Sequence, residues 1–174
     1  MSLLRHFKRS NRRKSEEVAK RLHHAIVGKA RDPVLFGEDK IPDTFDGRFN
    51  AICLYSALLF PRLEKAGEKG QAISRILNDR VFSDIDGALR ETGVGDASIA
   101  RKVRKLGERF FGLARAAKEA LESEQAVESL ANVFERNEVT SPGGALEVAE
   151  IIVQDAQMLP SVADEALLAG KAPW

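Results

Sequence analysis

The chain has 174 residues, 44% of them apolar, and a formal net charge of +1. That length is one domain, and it carries enough apolar side chains to bury its own core. The balanced charge excludes a polyanion-binding field over the whole molecule, so DNA is not an expected partner, and the single cysteine, Cys53, excludes an internal disulfide and points to a reducing compartment.

The charge is unevenly spread. Residues 1–30 hold nine Lys and Arg against two acids, whereas residues 118–170 hold two against eleven. Residues 1–14, MSLLRHFKRSNRRK, read as a flexible arm in which Arg5, Lys8, Arg9, Arg12, Arg13 and Lys14 surround Leu3, Leu4 and Phe7. Such a segment can fold on an anionic lipid surface or on RNA, stay a solvated tail, or lie back on the acidic body. No apolar core of signal-peptide length follows it, so export is not expected.

Ser15 has the character of an N-cap, with Glu16 and Glu17 in the first turn of the helix it would open. Val18, Leu22, Ala25, Ile26 and Ala30 recur at helical spacing and predict a helix over 16–30, ended by Pro33. Residues 34–47 have no helical period, and Pro42 holds Ile41 extended. Asp43 or Thr44 caps a second helix, 44–65, apolar over most of its circumference between Ala51 and Phe60 and therefore central. Pro61 should kink that helix near 57–61 or end it. Its apolar run is about half what a bilayer span needs, so the chain reads as soluble or peripheral.

Gly67 and Gly70 mark the next connection. A stripe from Ala72 through Ile76 and Val81 to Leu89 predicts a helix over 71–91, broken by GVG at 93–95. Asp96 or Ser98 caps a long helix, 97–121, with Ile99, Val103, Leu106, Phe110, Leu113, Ala117 and Leu121 inward. Arg101, Lys105 and Arg109 then form one exposed basic ridge, either a solvated face or a docking surface. Another helix follows from Ser123. SPGG at 141–144 separates it from a helix over 145–158, whose inward face is Leu146, Ala149, Ile152, Val153 and Ala156. Pro160 and Ser161 open a last short one, ending at Leu168. Nothing alternates with period two. The prediction is an all-α, single compact domain of six or seven helices, comprising the arm at 1–14, a helical domain at 15–140 and a C-terminal helical extension at 141–174 packed on the same domain.

No catalytic constellation emerges. His23 and His24 are adjacent and point about 100° apart, which does not suit two ligands of one metal. Cys53 sits among apolar residues without a basic neighbour and reads as a packed core side chain. The acids Asp32, Glu38, Asp39, Asp43 and Asp46 do not follow calcium-loop spacing, and capping explains them more simply. No metal, cofactor or catalytic residue is expected.

Residues 30–63, ARDPVLFGEDKIPDTFDGRFNAICLYSALLFPRL, resemble the segment that opens the ubiquinol–cytochrome c chaperone family, in its bacterial branch by the DGRF at 46–49. The resemblance continues through residues 76–121 and ends at VFERNEV, 133–139, which is similar to a closing Arg–Asn element, for a coverage of about 16–140. It implies a non-enzymatic, cytoplasmic assembly factor of the cytochrome bc1 complex, peripheral to the inner membrane, whose partner is newly made cytochrome b. Mitochondrial members also associate with the ribosome near its exit, so a ribosome or an anionic membrane surface is an expected docking partner for the basic arm and ridge. Phe36, Ile41, Pro42, Phe45 and Phe49 either line a wall of a client groove or cap the core. Arg48 pairs with Asp43 or Asp46, or faces the partner. The competing reading is a helical scaffold or adaptor that docks a soluble acidic or anionic partner.

Overall fold

The structure is a computed structural model. It describes the backbone of residues 2–91 and 96–174 and the side chains of residues 11–91 and 99–174. Among the described residues there are seven α-helices and no strand: α1 (Ser2–Lys29), α2 (Phe45–Lys65), α3 (Gly67–Glu91), α4 (Asp96–Leu121), α5 (Ala126–Arg136), α6 (Ala145–Met158) and α7 (Asp164–Leu167). Single turns of 3₁₀ helix at Pro33–Leu35 and Leu159–Ser161 complete the order.

Helix α2 is the central element. Twelve of its twenty-one residues are buried, and it packs against α1, α3 and α4. It starts where the sequence predicts: Thr44 is extended, and its Oγ1 accepts a hydrogen bond from the Gly47 N–H at 3.1 Å. Gly47 is glycine for a steric reason, since a Cβ there would lie 1.9 Å from the Pro42 carbonyl oxygen. Helix α2 runs through Pro61 to Lys65 instead of ending there. Proline costs one backbone donor and crowds the preceding turn, but Leu59 and Leu63 on either side are fully buried and hold the helix in place.

Three expectations are corrected. Helix α1 begins at Ser2 and not at Ser15. No proline or glycine interrupts it before Gly28, Arg12 pairs with Glu16 one turn on at 2.9 Å, and the Ser15 hydroxyl donates to the Asn11 carbonyl in place of capping. Helix α3 begins at Gly67, one residue after Ala66, and takes in Gly70. That tight hairpin needs Gly70, whose Cβ would meet the Leu63 carbonyl oxygen at 1.9 Å. Leu146, expected inward on α6, is 53% exposed, and Val148 takes the buried position. The GVG break at 93–95 and the capping side chains of Asp96 and Ser98 lie outside the described residues.

Residues 141–174 are bound into the domain at several points. The Ser141 N–H donates to the Lys40 carbonyl at 2.8 Å, and the Lys40 ammonium meets Glu147 at 2.6 Å. A Cβ on Gly144 would fall 1.3 Å from the Asp39 carbonyl oxygen, so the start of α6 rests directly on the loop before α2. The Arg62 guanidinium donates to the Val162 carbonyl at 2.6 Å and meets Asp164 at 2.7 Å. Trp174 packs edge-on to Tyr55 with ring centroids 5.3 Å apart.

Gly144→Ala should therefore force α6 away from the loop and cost about 3 kcal/mol. Gly87→Ala, inside α3 with nothing within 4 Å of the new methyl, should gain about 0.5–1 kcal/mol. Thermal unfolding separates the two by sign; an unchanged midpoint for Gly144→Ala would refute the close approach.

Candidate functional site

Helices α1, α2 and α3 leave a cleft of about 200 Å³ between them. Val27 comes from α1 and Ala30 from the turn that follows it, Phe45, Phe49 and Ile52 from α2, and Val81, Ile85 and Ala88 from α3. Its polar groups are His23 and Arg31 on the α1 side, Arg48 on α2 and Asp84 on α3. This is an apolar slot with charges at its edge, a shape that accepts a bulky apolar side chain and orients what carries it.

Of the residues predicted to bind a client, the structure brings three into this cleft. Phe45 is 41% exposed at the first turn of α2 and presents its ring to solvent. Arg48 is exposed but bidentate on Asp43, at 2.6 and 3.1 Å, which holds the Asp43 carboxyl below its usual range. Phe49 lines the cleft from below, itself 3% exposed. Ile41 is fully buried and belongs to the core, while Phe36 and Pro42 are half-buried away from the cleft. The loop closes on itself, with the Ile41 N–H donating to the Leu35 carbonyl at 3.1 Å and an isolated bridge joining Phe36 to Ile41.

The basic residues also separate. Arg109 leaves the predicted ridge: it donates to Asp46 at 2.8 Å and lies 5.7 Å over the Phe49 ring, tying α4 to the start of α2. Arg101 and Lys105 are exposed, as expected. Arg12, Arg13 and Lys14 are exposed on α1, Arg12 being paired with Glu16. The side chains of Arg5, Lys8 and Arg9 lie outside the described residues.

Two polar groupings escape sequence reasoning. His23 is buried and places Nε2 3.1 Å from the Asp84 carboxylate, which is itself 61% exposed. Burial pushes the imidazole below its usual range, against the opposing pull of Asp84, and Arg80 and His24 lower it further. Deeper in, the Tyr55 hydroxyl donates to Asp155 at 2.7 Å, and Lys29 reaches the same carboxylate at 3.3 Å. Burial and then Asp155 drive the Tyr55 phenol far above its usual range, so it stays protonated. No periodicity rule pairs positions a hundred residues apart.

The remaining candidates have structural places. Cys53 is fully buried, and desolvation pushes its thiol well above the reactive range. Asp32 accepts from the Val34 N–H at 3.1 Å, which with Lys29 holds its carboxyl low. Among the described residues, no group of three His, Cys, Asp or Glu side chains could hold a metal ion, and no helix is long and apolar enough to cross a membrane.

A family model described as ubiquinol–cytochrome C chaperone matches residues 38–174. The crystal structure of the Cbp3 homolog from Brucella abortus superimposes with a TM-score of 0.83 at 28% identity, over 97% of this chain and 94% of that one. No curated protein sequence matches. The family match extends past residue 140, so the resemblance read as closing at VFERNEV continues through α6 and α7 to Trp174. It starts at 38 and not near 16, so the α1 wall of the cleft lies outside the matched residues, whereas the α2 and α3 walls lie within them.

A histidine kept neutral by burial lowers stability under acid conditions. Its folded-state pKa is below the unfolded value near 6.5, so the unfolded chain binds the extra proton first as pH falls. The contribution is fully present above that value and is lost below it. Denaturant midpoints at pH 7.5 and 5.5 should therefore fall more steeply for the wild-type protein than for His23→Gln. Parallel slopes would show that the imidazole is not held neutral.

Proposed function

The chain belongs to the ubiquinol–cytochrome c chaperone family, and from that premise we propose that it is an assembly chaperone that binds newly made cytochrome b and supports assembly of the cytochrome bc1 complex. The observation that carries this reading is the family match across α2 to α7.

The cleft between α1, α2 and α3 is the client site on this reading. A transmembrane helix exposes bulky apolar side chains, and before assembly it has no partners for them. The cleft takes one such side chain against Phe49, Ile52, Val81 and Ile85, and the exposed Phe45 ring covers the neighbouring turn of the client. Arg31 and the Arg48–Asp43 pair at the rim meet polar groups flanking the apolar segment. Holding a client in this way asks for reversible apolar contact and for no bond-making group. On this reading the protein works at the cytoplasmic face of the inner membrane, where a newly made membrane subunit is met.

A scaffold for a soluble acidic partner is the second reading, favoured by the exposed cations of α4. Affinity capture from detergent-solubilised membranes separates the two: recovery of cytochrome b supports the chaperone, and recovery of soluble proteins alone supports the scaffold.

A deletion strain should lose assembled bc1 complex, measured by native gel and by the reduced-minus-oxidised spectrum of b-type haem. The wild-type gene should restore it. Phe45→Glu, on an exposed first-turn residue, should leave helix content unchanged by circular dichroism and restore less than about a tenth of the complex. Normal bc1 content in the deletion strain would end this reading.

A further inference from the structure

Helices α2 and α3 are joined by a single residue, Ala66, so the last turns of α2 lie antiparallel to the first turns of α3. An open cleft of about 420 Å³ lies at this end of the molecule, and it shares no lining residue with the cleft between α1, α2 and α3. Two rings wall it. Phe60 comes from α2 and is half-buried, and Phe111 comes from α4 and is 57% exposed, the most exposed large hydrophobic residue among those described. Phe111 is held in place: it stacks on Phe82 with centroids 5.8 Å apart and 26° between the planes, and meets Phe110 edge-on at 5.4 Å. A ring ordered before binding loses little entropy when a partner covers it.

Charge follows a definite order along the same cleft. Glu64 on α2 stands two residues before Ala66, and Arg75 on α3 stands nine after it. At about 1.5 Å of rise per residue they lie about 3 and 13 Å from the turn, and Phe60 stands between them at about 9 Å. Both charged side chains are exposed, and neither meets an opposite charge among the described residues. The cleft therefore presents an acid, an aromatic centre and a base in line. Turned through half a rotation about its centre, such a row is its own complement: acid comes opposite base at both ends, and ring opposite ring. Two rings and a carboxylate are also the groups that hold a guanidinium, by cation–π and ionic contact together.

We propose that this face is a two-fold interface between two copies of the chain, in which Arg75 of each copy enters the Phe60–Phe111 cleft of the other and pairs with its Glu64. Gln71 and Asn78, which line the cleft beside Arg75 on α3, form the polar rim. A partner of uniform charge fits this row less well, since either Glu64 or Arg75 would face its like. The contact involves only a few helical turns, so the dimer is a reversible one. The inference goes beyond the assembly reading and is tested without a client, so either can fail alone.

The test is sedimentation velocity of the full chain over a concentration series reaching about 0.5 mM. The wild-type protein should pass from monomer to dimer along the series. E64R and R75E should each raise the dissociation constant about tenfold or more, since either reversal sets like charges together at both symmetric contacts. F111S should raise it by about the same factor. All three positions are exposed, so helix content by circular dichroism should not change. E64R/R75E should return the dissociation constant to within about threefold of the wild-type value. Mixed in equal amounts, E64R and R75E should dimerise with each other, because every contact then joins unlike charges. A wild-type protein that stays monomeric throughout overturns the proposal, even where the face proves to hold a different protein. So does a dimer that F111S and E64R leave unchanged, and so does an E64R/R75E protein that dimerises no better than either single variant.

Discussion

A central helix buried on most sides can exist only if its polar groups find partners away from water, and Tyr55 is where α2 meets that condition. Its phenol has no access to solvent, and its hydroxyl donates at 2.7 Å to Asp155 on α6. Lys29, at the end of α1, supplies the cation that the nearly buried carboxylate requires, at 3.3 Å. A hydrogen bond to a charged group contributes about 1.5–3 kcal/mol, and an orphaned partner costs a comparable amount. The node thus links the first, second and sixth helices in a way that punishes removal of any one member. Trp174 closes it on the outside by packing on the Tyr55 ring.

The cleft follows from that constraint. With α1 tied at Lys29 and α2 at Tyr55, the two helices touch α3 more than they touch each other. The gap left between them opens toward the start of α2. Two further ties fix that start: Asp46 to Arg109 on α4, and the loop before it under Gly144, the residue that precedes α6. Phe45 and Phe49 are therefore presented by a helix terminus held from both sides. The C-terminal helices supply none of the cleft's lining residues, yet the start of α6 rests on the loop that leads into it.

Much of this was legible in the sequence. The 3.6-residue period located every long helix, Thr44 marked the start of α2 and SPGG the start of α6, because these signals depend on neighbours along the chain. Helix α1 was read too short because Ser15 followed by two glutamates is a good cap, and a cap signal says nothing about whether the preceding residues are helical as well. Gly70 was read as a connection because glycine marks both a turn and a close approach of two backbones. Leu146 shows the limit of periodicity: it sits beside the buried Ala145, and only the packed neighbours decide which of the two goes inside, whereas on α4 the period correctly put Phe110 inward. His23–Asp84 and Tyr55–Asp155 lay beyond reach, since both partners carry ordinary helix-surface chemistry until the fold joins them.

The basic residues make the same point in a form that bears on function. Arg109 and Arg101 stand two turns apart on one helix and look equivalent as letters. In the structure Arg109 is spent on Asp46 and the Phe49 ring, as part of what holds the cleft, whereas Arg101, Lys102 and Lys105 are left without acids. A cation already satisfied within the fold would lose that partner on binding elsewhere, so it gains little from a new one. The unsatisfied cations cost the fold nothing to offer. Sorting charges by whether the fold has used them separates Arg109, which helps hold the start of α2, from the cations left exposed. Both kinds stand on the one helix α4, which gives its inner flank to the fold and leaves its outer flank charged.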